Sequence, residues 1–195
     1  MAAANSVRII GGRHRGRRIA VSRAPGLRPT PDRVRETLFN WLGQDLAGAA
    51  TLELYAGTGV LTLEAQSRGA ALSVAVDRQA MLIRDLAAAA RAIGITGLET
   101  HVGDALAFVK RERRRFDVVF LDPPFADDPW SVLFDAVAER LTGQGRIYAE
   151  AGRRLTPPPA LEVIRHSRAG HVHYHLLALA PAADGPMRDA HPPGS

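Results

Sequence analysis

The chain has 195 residues, 46% of them hydrophobic, enough for one sizeable domain with its own core. It contains no cysteine, which excludes disulfides and thiolate metal sites, and no apolar run approaches the ~20 residues that span a bilayer. The formal net charge of +5 is uneven: residues 1–40 hold nine arginines against Asp32 and Glu36, so the remaining 155 residues sum to −2. A cationic segment set apart from the rest is the electrostatic footprint of a phosphate-polymer binder, with an acidic protein partner as the competing reading. The opening MAAANSVRII lacks the layout of a secretory signal, so a cytoplasmic setting is expected.

In chain order, residues 1–6 read as a frayed terminus. VRII (7–10) and RRIAV (17–21) read as short strands around GGRHRG, an arginine-tipped hairpin or loop. RAPGLRPTPD (23–32) is a turn-rich linker. A helix is expected from Pro31, with Thr30 as cap, Asp32 complementing the dipole, and Val34, Leu38, Trp41 and Leu42 as its apolar face.

From residue 50 strands and helices alternate. Strands are predicted over 50–55, 72–77, 98–102, 116–122 and 145–151. Helices are predicted over 60–70, 78–94, 104–115 and 129–141, the second ended by Gly94. This alternation predicts an α/β fold, a mostly parallel sheet with helices on both faces. Residues 161–180 predict a C-terminal antiparallel hairpin turning at Arg168–Gly170, and 181–195 a disordered tail. The expected division is a basic extension over 1–30, a main domain over 31–180 and the tail.

LELYAGTGVLTLEA (52–65) reads as strand, glycine turn, helix. Gly57 and Gly59 permit a tight turn and close approach of a ligand to the backbone, and the helix start points free N–H groups at the loop. Thr62 stands where the dinucleotide fingerprint needs a third glycine. Asp77 ends the second strand, 20 residues after Gly57, where a carboxylate accepts from ribose hydroxyls. NAD and S-adenosylmethionine both carry that ribose, so the spacing does not choose between them. Asp104, after the third strand, is placed to meet an adenine amine. The expected cofactor site comprises Glu53, Tyr55, Ala56, Gly57, Gly59, Asp77, Arg78, Asp104 and Ala105.

Asp122-Pro123-Pro124-Phe125 closes the fourth strand at the same sheet edge. An exocyclic amine on a planar base is a poor nucleophile because its lone pair is delocalised. Acceptors at Asp122 and the Pro123 carbonyl would hold its two N–H bonds and aim the lone pair at a sulfonium methyl. The prolines stiffen the backbone, and Phe125 would stack on the base. No metal is needed.

The chain resembles the RsmD-type methyltransferases, which modify a guanine N2 in bacterial 16S ribosomal RNA. The likeness is carried by RIIGGRHRGRRI (8–19), GLRPTPDRVRETLFNWL (26–42), LELYAGTGVLTLEAQSRGA (52–70) and DPPF, and covers most of 7–150. It implies a Rossmann-like, S-adenosylmethionine-dependent methyltransferase domain with a basic N-terminal extension. It also implies that Asp122–Phe125 are catalytic, Gly57, Gly59 and Asp77 hold the cofactor, and Arg13, Arg15, Arg17 and Arg18 belong to the RNA-binding arm. Relatives commonly have Asp where this chain has Glu53, and an aromatic ring where it has His14.

The arm arginines are the expected RNA contacts, since guanidinium forks suit phosphates and stack on bases. Arg28, Arg33 and Arg35 border the helix start near the site mouth, with Arg33 and Arg35 equally readable as ordinary helix-surface charges. The run KRERRR (110–115) precedes the fourth strand and reads as a solvated face at the opposite sheet end. Histidines 171, 173 and 175 alternate with apolar residues and read as a polar strand face, so no metal is expected. The expected partner is 16S ribosomal RNA or the small ribosomal subunit, met by a monomer without membrane contact. An adenine-N6 nucleic-acid methyltransferase would use the same acid–proline–proline–aromatic device. A non-catalytic RNA-binding assembly factor would show an eroded site, whereas both motifs are intact. A nicotinamide dehydrogenase would need the third glycine and a hydride-handling base.

Overall fold

The computed structural model describes residues 6–21, 30–124 and 127–181. The alternating pattern builds one seven-stranded sheet. Its strands are β3 (Ala50–Leu54), β4 (Leu72–Asp77), β5 (Leu98–Val102), β6 (Phe116–Leu121), β7 (Leu141–Ala151), β8 (Leu161–Ala169) and β9 (Val172–Leu179), in the order β5-β4-β3-β6-β7-β9-β8. The first five in this order run parallel, and β9 inserts antiparallel between β7 and β8. The chain moves from β3 outward to β4 and β5, then returns across to β6. That reversal opens a crevice at the carboxyl ends of β3 and β6, the place where open α/β sheets take ligands.

Strand alternation divides the core. Val119 and Leu121 face one side with Leu52, Leu54, Val74 and Val76, covered by α4 (Ala105–Arg111) and α5 (Trp130–Ala138). Val118, Phe120 and Tyr148 face the other, covered by α1 (Asp32–Leu42) and α2 (Val60–Ser67). Leu86 and Ala90 of α3 (Ala80–Ala92) complete the second side with Leu63 and Ala75.

The basic segment forms its own hairpin, β1 (Ser6–Arg8) against β2 (Arg18–Ala20), joined through a 3-10 turn at Gly12–His14. Ile9 and Ile19 bury against Leu63, Leu86 and Ala90. Polar bonds add direction: Ile10 N donates to Glu64 Oε1 (2.7 Å), His14 N donates to Ser67 Oγ (3.0 Å), and Ser67 Oγ donates to the Gly11 carbonyl (2.5 Å). Gly12 has φ +71° and a Cβ there would run into the Ser67 carbonyl, so this contact needs glycine. His14 lies inward on this seam, apart from the exposed arginines of the hairpin.

Several bounds depart from the expected pattern: helix α5 ends at Ala138, not 141, and β7 already begins at Leu141, not 145. Helix α1 begins one residue late, with Pro31 as its N-cap, because the Thr30 hydroxyl donates to Glu150 Oε1 (3.3 Å) instead of capping. Trp41 and Leu42 are only half-buried, while Phe39 and Arg35 turn fully inward. Helix α4 stops at Arg111, not 115: the Glu112 carboxylate accepts from the N–H groups of Arg113 and Arg114, an alternative to the helical ladder. The C-terminal hairpin turns at Gly170–His171, with Ala169 paired to Val172.

Arg35 is a correction to the expected RNA-binding set. Its side chain has no exposure, forms a buried ion pair with Glu64, pairs with Asp32, and donates to the Thr30 and Arg8 carbonyls (3.1 and 3.0 Å). Every nitrogen is engaged, so Arg35 joins the hairpin, α1 and α2 and offers nothing to a phosphate. No helix among the described residues is long and apolar enough to cross a membrane.

Removing one partner of a buried ion pair leaves the other charge uncompensated. Arg35→Met is therefore expected to lose about 3–5 kcal/mol, read as a lower urea midpoint. Arg33→Met, on the exposed side of the same helix, should stay within about 0.5 kcal/mol of wild type. Equal midpoints for the two variants would contradict the role assigned to Arg35.

Candidate active site

The turn between β3 and α2 is held in a conformation few residues adopt: Tyr55, Gly57 and Gly59 have φ of 63°, 53° and 68°. Ala56 N donates to the Val76 carbonyl (2.9 Å) and Gly59 N to the Ala56 carbonyl (2.7 Å). A Cβ at Gly59 would collide with the Leu86 side chain of α3, so the loop lies close on that helix. Asp77, at the end of β4, accepts from Gly57 N and Gln79 N, both at 2.8 Å. It remains partly open to solvent, and each oxygen keeps a lone pair for a further donor.

Thr62, the departure from the dinucleotide fingerprint, has a local cause. Its backbone N (2.9 Å) and its hydroxyl both donate to Glu53 Oε2, so Glu53 satisfies a free N–H at the start of α2. Glu53 is buried and faces the loop from beneath. Burial pushes its carboxyl up to about 7, opposed by the two Thr62 bonds and assisted by Asp77 and Glu150. Across the crevice, Asp104 caps α4 through Ala107 N (2.7 Å) and pairs with Arg78 (2.6 Å). The Ala107 N–H first, and then Arg78, hold the Asp104 carboxyl below its usual range. Ala105 is buried behind it.

Asp122, Pro123 and Pro124 follow β6 directly. The register aligns Glu53 with Phe120 and Leu121 with Ala149. Alternation then places Glu53 (β3), Asp122 (after β6) and Glu150 (β7) on the same sheet face, on adjacent strands. Asp122 is open to solvent at the crevice yet closely surrounded. Burial, then Glu150, then Glu53 push its carboxyl well above its ordinary value. The Glu150 carboxyl is also raised by burial, against the donors Tyr148 and Thr30. No ion pair to Asp122, Glu53 or Glu150 occurs among the described residues.

This arrangement fits an adenosyl sulfonium. The uncompensated acids would be neutralised by a positive centre, Asp77 has acceptor capacity for ribose hydroxyls, and Arg78, the cation beside them, is already paired. The sequence alone does not mark Glu150, because a single acid in GRIYAEA looks like the solvent side of an alternating strand.

Phe125 and Arg28, both expected site residues, lie outside the described residues, as do residues 1–5, most of the 181–195 tail and the 22–29 stretch of the linker. Arg13, Arg15, Arg17 and Arg18 are exposed on the hairpin, and Arg33 on α1. A groove of about 500 Å³ between hairpin and α1 is lined by Arg8, Arg18, Thr30 and Asp32 among others. The KRERRR run lies at the amino end of β6, where Arg114 pairs with Glu112 and Glu99 (2.7 and 2.9 Å) and Arg115 donates to the Leu141 carbonyl. His175 accepts from Leu155 N (3.1 Å) and His173 contacts His166 (3.0 Å); no metal-holding cluster occurs among the described residues.

Comparison with known proteins gives a consistent answer. The family described as conserved hypothetical protein 95 matches residues 7–178. Ribosomal RNA small subunit methyltransferase D of Escherichia coli K12 is 34% identical over 175 residues, which is 87% of this chain and 88% of that protein. The solved yhhF protein of Escherichia coli superposes with a TM-score of 0.82 at 30% identity, covering 90% of this chain and 98% of that one. SMU.776, solved in complex with SAH, shares the fold at a TM-score of 0.61 with 15% identity, covering 74% of this chain and 48% of that one.

Two outcomes are expected. Glu53 is neutral when folded up to about pH 7 but ionises near 4.5 when unfolded, so its contribution to stability declines as pH rises through that window. Glu53→Gln should flatten the fall in urea midpoint between those pH values, and an unchanged slope would contradict the assignment. Gly59→Ala should weaken SAH binding at least about tenfold in calorimetry, through combined φ strain and the Leu86 collision. Unaltered affinity would remove the loop from the cofactor site.

Proposed function

The chain belongs to the RsmD-type methyltransferase family, conserved hypothetical protein 95, and we propose that it methylates the exocyclic N2 of a guanine in 16S ribosomal RNA. The cofactor is S-adenosylmethionine, which supplies an electrophilic methyl on a sulfonium. The observation that carries the reading is Asp122-Pro123-Pro124 at the crevice, beside the glycine loop and on the same face as Glu53.

The protein's part is positioning and electrostatics. Asp122 accepts one N2–H and the Pro123 carbonyl the other, which localises the nitrogen lone pair. Pro123 is buried and Pro124 follows it, so the carbonyl direction is fixed. When bound, S-adenosylmethionine would supply an electrophilic methyl in line with that lone pair and keep the bond electrons on its sulfur, while the surplus N2 proton would pass to water at the exposed mouth beside Asp122. A raised Asp122 carboxyl is compatible with this role, because when neutral it still presents a carbonyl oxygen to an N–H, as an amide would. Phe125 is proposed to stack on the base and close the site. Gly57, Gly59 and Asp77, with Tyr55, Ala56, Arg78, Asp104 and Ala105 around them, are proposed to hold the adenosyl group. Glu53 supports the loop from below.

The hairpin arginines Arg13, Arg15, Arg17 and Arg18, with Arg33, are proposed to engage the RNA backbone, the protein acting as a cytoplasmic monomer on RNA or on small subunits. The division into a basic extension (1–30) and a methyltransferase domain (31–180) is functional in this reading, since the hairpin packs directly on α2.

Incubation with methyl-labelled S-adenosylmethionine and small subunits lacking the modification should place label in N2-methylguanosine after nucleoside digestion. Label in N6-methyladenosine would favour the adenine reading. Asp122→Ala should lower turnover about 10²–10³-fold with SAH affinity nearly unchanged; retained turnover contradicts its role. Replacing Arg13, Arg15 and Arg17 with Ala should lower the slope of log affinity against log salt by about 2–3. An unchanged slope removes the arm from RNA binding.

A further inference from the structure

Glu150 has no part in the reaction as described so far, yet it is built into the site. Tyr148 Oη (2.9 Å) and Thr30 Oγ1 (3.3 Å) both donate to its Oε1. Tyr148 is itself fully buried, so the carboxyl is anchored from the core side. Oε2 makes no hydrogen bond among the described residues, and it is not one of the unpartnered polar atoms sealed from solvent. An anchored acid with one oxygen fixed and the other without a bond among the described residues is arranged to receive a donor.

Resting on the guanine-N2 reading, we propose that Glu150 determines the base: its Oε2 accepts the N1–H of guanine while Asp122 accepts from the neighbouring N2 amine. The register supports this pairing. Leu121, the last residue of β6, is aligned with Ala149 of β7, so Asp122 and Glu150 are the next residues along from a paired position, where continued strand spacing would set them about 4.8 Å apart at the backbone. Both continue the face of Phe120 and Tyr148. Two carboxyls side by side match an edge that presents two adjacent donors, which guanine has at N1 and N2. Adenine presents its amine beside an unprotonated N1, whose lone pair would confront Glu150.

The surroundings favour an acceptor over a structural ion pair. Among the described residues, the groups that face Glu150 are Asp122, Glu53, Tyr148, Thr30 and Tyr174, its cross-strand partner on β9, and none of them is a cation. A buried acid without a counter-charge is costly, and a donor delivered by the substrate would satisfy it.

The test uses 2-aminopurine, which keeps the 2-amine but has a lone pair at N1. Small subunits are reconstituted with RNA carrying guanine or 2-aminopurine at the nucleotide the wild-type enzyme labels. Wild type should lose about 10–100-fold in kcat/KM on 2-aminopurine. Glu150→Gln should lose activity on guanine and bring the guanine to 2-aminopurine ratio toward one, because the amide can donate to N1. Glu150→Asp, which keeps the charge on a shorter stem, should be slower yet retain the preference for guanine. SAH calorimetry on each variant separates a damaged fold from a changed preference. An unchanged ratio in Glu150→Gln, or equal use of both bases by wild type, overturns the role of Glu150 and leaves the reaction standing. Absence of label on any guanine N2 overturns the reaction and this inference together.

Discussion

Three carboxyl groups crowd one edge of the sheet with no ion pair to a cation among the described residues. Glu53, Asp122 and Glu150 come from three adjacent strands, and parallel pairing with two-residue alternation gives them no choice but to share a face. Such a cluster opposes folding, since each acid raises the cost of ionising the others. Its partial compensation comes from neutral donors: Thr62 for Glu53, Tyr148 and Thr30 for Glu150. What remains is a crevice rich in acceptors that no cation among the described residues neutralises. That is a suitable receptor for a sulfonium on one side and a base amine on the other, and the local destabilisation is what gives the site its electrostatic character.

The second constraint is the buried Arg35–Glu64 pair. It sits where the hairpin, α1 and α2 meet, so the cationic arm is fixed relative to the glycine loop and not tethered loosely beside it. Thr30, just ahead of α1, carries this rigidity to Glu150. If the hairpin arginines hold RNA, as proposed, that RNA would be kept at a set distance from the glycine loop. For a reaction that depends on in-line placement, that connection matters as much as the affinity it supplies.

Much of this is legible in the residues because it depends on local periodicity. Alternation alone bounds the strands at 72–77 and 98–102 to the residue, and the strand–glycine–helix turn with Asp77 follows from spacing. What stays hidden depends on pairings distant in sequence. Arg35 reads as a surface charge until Glu64, 29 positions later, is brought against it. Glu150 reads as the outer side of a strand until Thr30, 120 positions earlier, reaches it. Periodicity makes helix α4 too long because arginine and glutamate are good helix formers, and only the Glu112 side chain bonding to the backbone beside it ends the helix.

The most direct measurement is the titration of the Asp122 carboxyl itself, followed by carbon-13 NMR of labelled aspartate in wild type and in Glu150→Gln. Asp122 should titrate well above its ordinary value of 3.8 in wild type, and fall toward it when the charge of Glu150 is removed. An Asp122 that titrates in the ordinary range, indifferent to Glu150, would contradict the shared acid face on which the site is built.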